Sequence, residues 1–272
     1  MAALIKLATE WQMPYFVIGR GSNLLVGDGG IKKLVIATEG MSYVHVEGES
    51  VTCGAGASLT CVAAVARDSA LSGLEFAYGI PGSVGGAVVM NAGAYGGEIV
   101  DVLSQATVLD TNGTLHKLNS QELELKYRHS NIEERGYIVL EAVFTLKRGS
   151  VDDITELMEK NMQARKDKQP LDYPNAGSAF KRPEGYYAGK LIMEAGLKGF
   201  SVGDACVSEK HAGFVINKGS ATASDVRGLL EKVADTVYDR YGIRLEPEIK
   251  FEGEFQELIL WPPDSHSDRK SV

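Results

Sequence analysis

Apolar and polar positions follow helical spacing in some parts of the chain and strand spacing in others. Residues 3–11 and 59–70 have helical spacing, and Gly73 is expected to close the second of these helices. Short apolar runs typical of strands lie between them, and later period-2 runs flank Asn112-Gly113, a strong hairpin signal. The pattern therefore predicts a β-rich α+β unit in the first half of the chain.

The pattern changes near Gly149, where a charged amphipathic helix begins and continues towards Pro170. Beyond it, the spacing predicts a helix, a strand at GFVIN and a long helix for which Ser224 is the expected N-terminal cap. A closing strand is predicted within GIRLEPEIKFEG, and the polar sequence from Pro262 is expected to be a disordered tail. The second half is thus a different arrangement of helices and strands.

The composition of the 272-residue chain is that of an ordinary globular protein, with 44% hydrophobic and 24% charged residues. A net charge of −8 offers no basic surface to nucleic acid or to an anionic membrane. No apolar run approaches the ~20 residues of a membrane span, and the N-terminus lacks a signal-peptide pattern. We therefore predict a cytoplasmic protein with no nucleic-acid partner and no membrane insertion.

The cysteines and histidines indicate neither a disulfide framework nor a metal site. Cys53, Cys61 and Cys206 are odd in number and far apart, so we interpret them as buried thiols in a reducing compartment. The five histidines are scattered without the spacing of metal ligands, and no metal site is predicted.

The segment 79–96, GIPGSVGGAVVMNAGAYG, has glycine at six of its eighteen positions. Glycine brings no apolar area, so we expect a hydrophobic core to reject this segment and order to come from turns, close backbone packing or a ligand. Two further glycine turns occur at 19–25 and 53–56. Each alone predicts only a tight turn, and none fits a P-loop or a dinucleotide fingerprint. Three in one unit favour an anion-binding arrangement of backbone N–H groups.

Residues 175–183, NAGSAFKRP, carry a second set of candidate residues. Ser178 follows a glycine, and Lys168, Lys181 and Arg182 would give it a positive field suited to an anionic substrate. A loop with a serine in a turn is the plain alternative. The chain has no G-x-S-x-G motif, so an acyl-transfer serine is not predicted.

Two charged residues in the remaining candidate segments are ambiguous from sequence alone. Arg128 lies in YRHS between two polar neighbours, and an exposed strand arginine would explain it equally well. Glu248, in LEPEIK, fits a solvated strand residue as well as a functional carboxylate.

Taken together, these segments resemble one known family, the UDP-N-acetylenolpyruvoylglucosamine reductases. The resemblance covers residues 1–253 and rests on eight segments in a fixed order: RGSNLLV, CGAG, GIPGSVGGAVVMNAGAYGGE, YRHS, NAGSAFK, AGKLIMEAGLKG, VSEKHAGFVIN and GIRLEPEIK. The short path from YRHS to YIVLEAVFTL is similar to the second type of the family, which lacks an inserted tyrosine loop.

The resemblance implies an α+β fold with an FAD-binding domain of the vanillyl-alcohol-oxidase-like (PCMH-type) kind in two subdomains, followed by an α+β substrate-binding domain. The expected boundaries are 1–40 for the first FAD-binding subdomain, 41–148 with 243–253 for the second, 149–242 for the substrate-binding domain and 254–272 for a tail. Members of the family have a further stretch before MAALIKLATEW, so we expect the first subdomain to be N-terminally truncated.

The resemblance also implies noncovalent FAD, because Asn23 stands where covalent flavin oxidases of this fold often have a histidine. NADPH is the implied hydride donor. The implied cofactor-binding residues lie in the three glycine turns and are Gly19, Gly21, Ser22, Asn23, Leu24, Gly54, Gly56, Gly79, Ile80, Pro81, Gly82, Ser83, Gly85, Gly86, Asn91, Ala92 and Gly93.

The implied reaction reduces the enolpyruvyl ether of UDP-N-acetylglucosamine enolpyruvate to UDP-N-acetylmuramate for peptidoglycan synthesis. By resemblance, Ser178 is the proton donor, and Arg128 and Glu248 lie beside the substrate carboxylate. The implied substrate-binding residues are Tyr127, Lys168, Asn175, Gly177 and Lys181. Arg182 departs from the family, in which asparagine is common at that position, and altered contacts with the substrate diphosphate are the expected consequence.

Two other functions compete with this interpretation. An FAD-dependent oxidase of the same fold would use oxygen, would not need Ser178 and would often hold its flavin covalently. A truncated, non-catalytic module that binds flavin or UDP-sugar is the other alternative. The sequence leaves the oligomeric state open.

Overall fold

The computed structural model describes residues 1–255, so all but the first two residues of the predicted tail 254–272 lie outside the described part. In this described part, six α-helices and seventeen strands follow one another, with short 3₁₀ helices at Glu75–Ala77 and Ile99–Asp101. In chain order they are α1 (Ala2–Glu10), β1 (Tyr15–Ile18), β2 (Leu24–Val26), β3 (Leu34–Ala37), β4 (Val44–Glu47), β5 (Ser50–Gly54), α2 (Leu59–Asp68), β6 (Leu71–Ser72), α3 (Val84–Val89), β7 (Gly93–Ala94), β8 (Gly97–Glu98), β9 (Leu103–Leu109), β10 (Leu115–Leu118), β11 (Ile138–Thr145), β12 (Lys147–Arg148), α4 (Val151–Lys168), β13 (Asn175–Ser178), α5 (Ala188–Glu194), β14 (Ser201–Val202), β15 (Ala205–Val207), β16 (Phe214–Asn217), α6 (Ala223–Tyr241) and β17 (Lys250–Glu252).

The chain forms two compact units whose boundary differs from the expected one. The first unit combines Met1–Ser22 with Lys33–Gln169, and the second combines Asn23–Lys32 with the chain from Pro170 onward. Helix α4 was expected to open the substrate-binding domain, but it packs into the core of the first unit through Ile154 and Met158. The boundary therefore lies about twenty residues later, where the proline ends the helix.

The closing segment 243–253 also differs from its expected place in the second FAD-binding subdomain. Strand β17 pairs in parallel with β2, and both strands belong to the second unit. The backbone pairing of these two short strands decides which unit the segment joins, and the composition of either strand carries no signal of it.

The centre of the first unit is an antiparallel sheet in the order β10-β9-β11-β5-β4. One face packs on the main core, to which α2, α3 and α4 contribute buried side chains. The other face is partly covered by α1 and the parallel pair β1-β3, through a small cluster of Ile5, Ile36, Leu109 and Ile138. Burial on both faces explains why the central strands contain long apolar runs.

A β-bulge in β11 changes which residues of the strand face the main core. Its register against β9 shifts between Val139 and Glu141. Val139 faces the main core before the bulge, and Ala142 and Phe144 face the same core after it. One inserted residue reverses the alternation of a strand, so the period-2 pattern predicted for this run is broken at this point.

Our expectation that the glycine-rich segment 79–96 would be excluded from a hydrophobic core is wrong. Helix α3 lies within this segment and packs against β11. Its residues Val84, Ala87 and Val88 are buried in the main core. The small residues between them allow the helix to lie close to the sheet, so low apolar area is compensated by close packing.

The second unit is built on an antiparallel sheet in the order β13-β16-β15-β14, which forms one core with α5 and α6. Helix α6 is capped by Thr222 rather than by the expected Ser224. The Thr222 hydroxyl accepts from the N–H of Asp225, and the Asp225 carboxylate accepts from the N–H of Thr222, which together form a capping box.

Helix α2 ends earlier than the glycine signal predicts. Ser69 is its C-terminal cap, and Ala70 has the left-handed conformation, with φ of +54°. Gly73, the expected cap, lies beyond β6 and approaches Leu146 and Val102. The nonglycine turn is possible because the Ala70 N–H donates to the carbonyl of Arg67.

Our prediction that all three thiols are buried is wrong for one of them. Cys53 and Cys206 are buried, but Cys61 is exposed on α2. Burial raises the pKa of the Cys53 thiol to about 12, so this group stays neutral at physiological pH. Within the described residues, no helix is long and apolar enough to cross a membrane.

Asp28 ties the loop after β2 to the start of α6. Its carboxylate accepts from the Ser224 hydroxyl at 2.5 Å and from the N–H groups of Ala223 and Ser224 at 2.7 and 2.9 Å. The Ser224 hydroxyl, followed by the two N–H groups, lowers the pKa of Asp28 below its usual 3.8.

Replacing Asp28 with alanine should lower the melting temperature at neutral pH, because the carboxylate satisfies two N–H groups at the helix N-terminus. Its folded-state pKa is depressed, so the stabilisation is present above 3.8 and is lost as the pH falls through the lower folded-state value. Thermal unfolding from pH 7 to pH 3 should show the difference between parent and variant shrinking. Asp172→Ala, an exposed aspartate, is the control; a difference from the parent that does not change with pH would contradict this assignment.

Candidate active site

The first glycine turn, GRGS, contains backbone N–H groups that lack a backbone acceptor among the described residues. Gly21 has φ of +66°, the left-handed region that favours glycine. Gly19 packs so closely on Ser83 that a Cβ there would come within 2.2 Å of the Ser83 hydroxyl oxygen. In the described part of the chain, the N–H groups of Arg20, Gly21 and Ser22 donate to no backbone carbonyl. Successive N–H groups of this kind form an anion-binding concavity.

Asn23 and Leu24, which continue this turn, belong to the second unit. The Asn23 side-chain amide donates to the backbone carbonyl of Glu248 at 2.9 Å. Leu24 opens β2, which pairs with Lys250 in β17. Both residues are therefore joined to the closing segment, whatever contact they make with a cofactor.

The second glycine segment offers open space at Pro81, Gly82 and Gly86. Pro81 and Gly86 are exposed, and Gly82 is half-buried. A Cβ on Gly82 would meet nothing closer than the Ser22 hydroxyl oxygen, at 3.7 Å. The Ser83 hydroxyl is occupied, because it accepts from the Gly86 N–H at the start of α3. Gly82 thus has room for a side chain within the protein.

Other glycines of the candidate set are explained by the protein's own packing. A Cβ on Gly85 would lie 3.0 Å from Ala55 Cβ, and one on Gly56 only 1.9 Å from the carbonyl oxygen of Thr38. A Cβ on Gly54 would lie 2.2 Å from the carbonyl oxygen of Met41. Ile80 and Ala92 pack against the main core.

Asn91 is fully buried, and its side-chain hydrogen bonds join it to other parts of the first unit. Its φ is +40°, and its side-chain amide donates to the Glu98 carboxylate and to the Lys126 carbonyl, both at 3.0 Å. Its side-chain oxygen accepts from the Val100 N–H at 2.9 Å. Both amide donors are occupied by the protein, so a cofactor contact through them stays a proposal.

Arg128 lies in a tight turn and not in a strand. Its φ of +52° is unusual for a residue with a side chain. The N–H groups of Lys126 and His129 each donate to the other residue's carbonyl, which closes the turn. The guanidinium donates to the Gly93 carbonyl at 3.2 Å and lies over the ring of Tyr127 at 5.0 Å. The arginine is therefore held by the glycine-rich segment, and the alternative of an exposed strand residue is wrong.

Ser178 ends the edge strand β13 of the second unit and is exposed. Gly177 before it has φ of +83°, and the N–H of Gly177 donates to the Asn175 side-chain oxygen at 3.0 Å. Among the described residues, the Ser178 hydroxyl has no hydrogen-bond partner in the protein. An irregular, glycine-containing edge strand thus presents a hydroxyl that is available to a ligand.

The structure brings Glu248 next to this serine through backbone pairing. The Glu248 N–H donates to the carbonyl of Ala179 at 2.9 Å, and Phe180 forms a bridge with Pro247. Lys181, one of the expected substrate ligands, forms an ion pair with Glu246 in the same pairing. Seventy residues apart in sequence, the two segments form one short antiparallel ladder.

The other expected substrate residues are distributed over both units. Tyr127 and Lys168 are exposed residues of the first unit, and Asn175 and Gly177 form the turn before Ser178 in the second. Arg182, the departure from the family pattern, stacks over the ring of Tyr187 at 4.9 Å.

Comparison with known proteins adds the family to this geometry. The UDP-N-acetylenolpyruvoylglucosamine reductase C-terminal domain matches residues 169–252, and an FAD binding domain matches residues 1–119. The reductase of Agathobacter rectalis is 56% identical over 94% of this chain and 85% of its own length, and that of Clostridium novyi is 52% identical over 93% and 83%. The solved reductase of Thermus caldophilus has a TM-score of 0.81 and 38% identity over 93% of this chain and 90% of its own.

The chain belongs to the UDP-N-acetylenolpyruvoylglucosamine reductase family. It is an FAD-dependent oxidoreductase. The predicted α+β architecture with an FAD-binding domain and a further domain is confirmed. The matched C-terminal domain begins at residue 169, which agrees with the start of the second unit at Pro170.

The residues of the first unit fit the flavin cofactor that the reductase family uses. FAD carries a pyrophosphate, and the three N–H groups of GRGS have the chemistry to hold it without a basic side chain. The space over Gly82 is compatible with a ligand that lies against the main chain.

Sequence reasoning missed one buried charge, that of Arg165 in α4. The buried positions of that helix are Ile154, Met158, Asn161 and Arg165, which follow helical spacing. An arginine on the buried stripe was the available signal, but basic residues are common in the last turn of a helix and do not by themselves indicate burial.

Replacing Gly82 with alanine should weaken FAD binding at least about tenfold while leaving the melting temperature of the apoprotein unchanged. The new methyl group has room in the protein but occupies the space proposed for the cofactor. Flavin fluorescence titration of the apoprotein measures the affinity.

Two glycines provide matched controls for Gly82. Gly85→Ala should instead destabilise the protein by about 1–3 kcal/mol, because its methyl group meets Ala55. Gly40→Ala, in open space, should change neither property. If Gly82→Ala binds FAD as tightly as the parent does, Gly82 is not part of the cofactor site.

Proposed function

We propose that this reductase converts UDP-N-acetylglucosamine enolpyruvate to UDP-N-acetylmuramate, with NADPH as the hydride donor and noncovalent FAD, in the cytoplasmic part of peptidoglycan synthesis. Membership of the reductase family supports the overall reaction. The observation that carries the mechanism is the exposed Ser178 hydroxyl, which has no partner among the described residues and lies beside the ladder that holds Glu248.

Ser178 is proposed to donate the proton that completes the reaction. The chemistry that bound FAD supplies is transfer of a hydride from NADPH to the terminal carbon of the enolpyruvyl double bond. Negative charge then develops on the carbon next to the carboxylate. Serine is a weak acid, but such a carbanion is a far stronger base than serinate, so the proton transfer runs downhill. The positive φ of Gly177 helps to expose the hydroxyl for this step.

Arg128 is proposed to stabilise the negative charge that spreads to the substrate carboxylate. A guanidinium offers paired donors to a carboxylate oxygen pair. The hydrogen bond to the Gly93 carbonyl holds the side chain in one orientation, so little reorganisation is needed during the reaction. Its left-handed backbone is a strained conformation of the kind found at functional sites.

Glu248 is proposed to orient Arg128 or to be protonated itself. A bare carboxylate next to developing negative charge would oppose the reaction. Its backbone is fixed on both sides, because its N–H donates to Ala179 and its carbonyl accepts from Asn23. The side chain therefore extends from a rigid position, as catalytic geometry requires.

Replacing Ser178 with alanine should leave FAD binding and flavin reduction by NADPH intact and slow the oxidative half-reaction ~10²- to 10⁴-fold, the value of a lost general acid. Ser178→Cys should recover part of the rate, because a thiol is the stronger acid. Rapid mixing of pre-reduced enzyme with the enolpyruvyl substrate measures the step.

Ser220→Ala, an exposed serine of the same unit, serves as the control and should react at the parent rate. Reoxidation of the Ser178→Ala enzyme at the parent rate would remove the proton-donor role. Equal slowing of both half-reactions would instead mean that the NAGSAFKRP loop is structural.

Replacing Arg128 with lysine should also slow the oxidative half-reaction, by about 10²-fold, because lysine keeps the charge but loses the paired donors. The rate of flavin reduction should change much less. Arg135→Lys is a matched control, since Arg135 is an exposed arginine near the same turn that pairs with Glu124 at 3.7 Å. An Arg128→Lys enzyme with a parent-like oxidative rate would show that the charge alone suffices.

A further inference from the structure

The turn that carries Arg128 is joined to the glycine-rich segment by three hydrogen bonds. Every second residue of 89–93 meets a residue of 126–130, and each contact uses at least one side chain. The Ser130 hydroxyl donates to the Val89 carbonyl at 2.7 Å, the Asn91 amide donates to the Lys126 carbonyl at 3.0 Å, and the Arg128 guanidinium donates to the Gly93 carbonyl at 3.2 Å. The proposed reaction uses the arginine of the YRHS motif, but its serine has no role in that reaction so far.

The main chain of this turn is strained. Two main-chain hydrogen bonds of 3.1 Å between Lys126 and His129 close it. Arg128 has φ of +52°, a conformation that is disfavoured for a residue with a bulky side chain. Such positions persist where surrounding contacts hold them. The direction in which the guanidinium leaves the turn therefore depends on contacts from outside the turn.

Ser130 supplies such a contact directly after the turn. The residue is 6% exposed, and the acceptor of its hydroxyl, Val89, is the last residue of α3. The last carbonyls of a helix have no donor within the helix, so the hydroxyl satisfies a carbonyl that helix geometry leaves open. Helix α3 is itself fixed in the main core by Val84 and Val88. One buried side chain thus anchors the turn to a rigid element.

We propose that Ser130 is a positioning residue of this reductase, which holds the turn in the orientation that presents the Arg128 guanidinium to the substrate carboxylate. The inference rests on the role proposed for Arg128. Paired donors stabilise a carboxylate when both reach its oxygens, and a displacement of about 1 Å can lower a rate on the order of 10²-fold. Asn91 holds the first residue of the turn, but it also binds Glu98 and Val100, so Ser130 offers the cleaner test.

Replacing Ser130 with alanine should slow the oxidative half-reaction about tenfold, because the turn loses its anchor and the guanidinium its fixed direction. The affinity for FAD, measured by flavin fluorescence, and the rate of flavin reduction by NADPH should stay within about twofold of the parent. Ser130→Cys should recover part of the oxidative rate, since a thiol of similar size is a weaker donor. Rapid mixing of pre-reduced enzyme with the enolpyruvyl substrate measures this rate.

Ser104→Ala is the matched control. The Ser104 hydroxyl donates to the Val143 carbonyl at 2.8 Å, so this variant removes the same kind of hydrogen bond from the same unit, away from the turn. It should leave the rates of both half-reactions at the parent values.

A double-mutant cycle separates positioning from a merely structural role. In an Arg128→Lys enzyme, Ser130→Ala should slow the oxidative half-reaction less than about twofold, because lysine has no paired donors to orient. The same tenfold loss in both backgrounds, or equal slowing of both half-reactions by Ser130→Ala alone, would make the serine structural and overturn the proposal. If Ser130→Ala does not fold, Ser130→Cys takes its place in the cycle.

The cycle also separates this inference from the proposed function. An Arg128→Lys enzyme that is slow, together with a Ser130→Ala enzyme that reoxidises at the parent rate, would overturn the role of Ser130 alone. A parent enzyme that is not reoxidised by the enolpyruvyl substrate, or an Arg128→Lys enzyme with the parent rate, would overturn the proposed function and this inference together.

Discussion

The first unit depends on main-chain segments that approach each other more closely than any side chain allows. The N–H of Gly56 donates to Met41, the N–H of Gly54 donates to Tyr43, and a Cβ on Gly56 would come within 1.9 Å of the Thr38 carbonyl oxygen. Backbone hydrogen bonds, and not apolar area, order the chain at these points. The connection between β3 and β4 lies against the end of β5 because of them, and a larger residue would force these segments apart. The glycines therefore differ: some permit the fold, and others, such as Gly82, border the open space that we propose for the cofactor.

The glycine-rich segment 79–96 and the turn at Arg128 contain strained backbone positions that neighbouring residues hold in place. Asn91, Tyr95 and Arg128 all have positive φ, which costs of order 1–3 kcal/mol for each nonglycine residue. Asn91 donates to the Lys126 carbonyl, and Arg128 donates to the Gly93 carbonyl, so the glycine-rich segment and the arginine turn lock each other. This reciprocal arrangement gives the proposed charge-stabilising residue a fixed orientation. It also makes the turn dependent on the glycine-rich segment, whose helix α3 packs in the main core.

In the second unit, the residues proposed for catalysis lie on a pair of short hydrogen-bonded segments. Ser178 and Glu248 extend from a short antiparallel ladder whose backbone groups are paired with each other, while the serine hydroxyl has no partner among the described residues. Asn23 donates to the Glu248 carbonyl, so the residue that follows the first glycine turn stabilises the segment that carries the carboxylate. Rigid main chain with available side-chain donors is the arrangement that preorganised catalysis requires.

Local patterns in the sequence determined the helices and hairpins of this protein, and tertiary contacts decided how they are combined. Helical spacing predicted α1, α4 and α6, and the Asn112-Gly113 pair predicted the β9-β10 hairpin, because these elements depend on residues close in sequence. The eight ordered segments were sufficient to identify the family, and they made Ser178 and Arg128 the residues proposed for catalysis. The sequence could not show that α4 joins the first unit, that β17 pairs with β2, or that Thr222 and not Ser224 caps α6. Those outcomes depend on which surfaces are buried together, because burial and strand pairing join residues that are distant along the chain. The burial of the Arg165 guanidinium has the same cause.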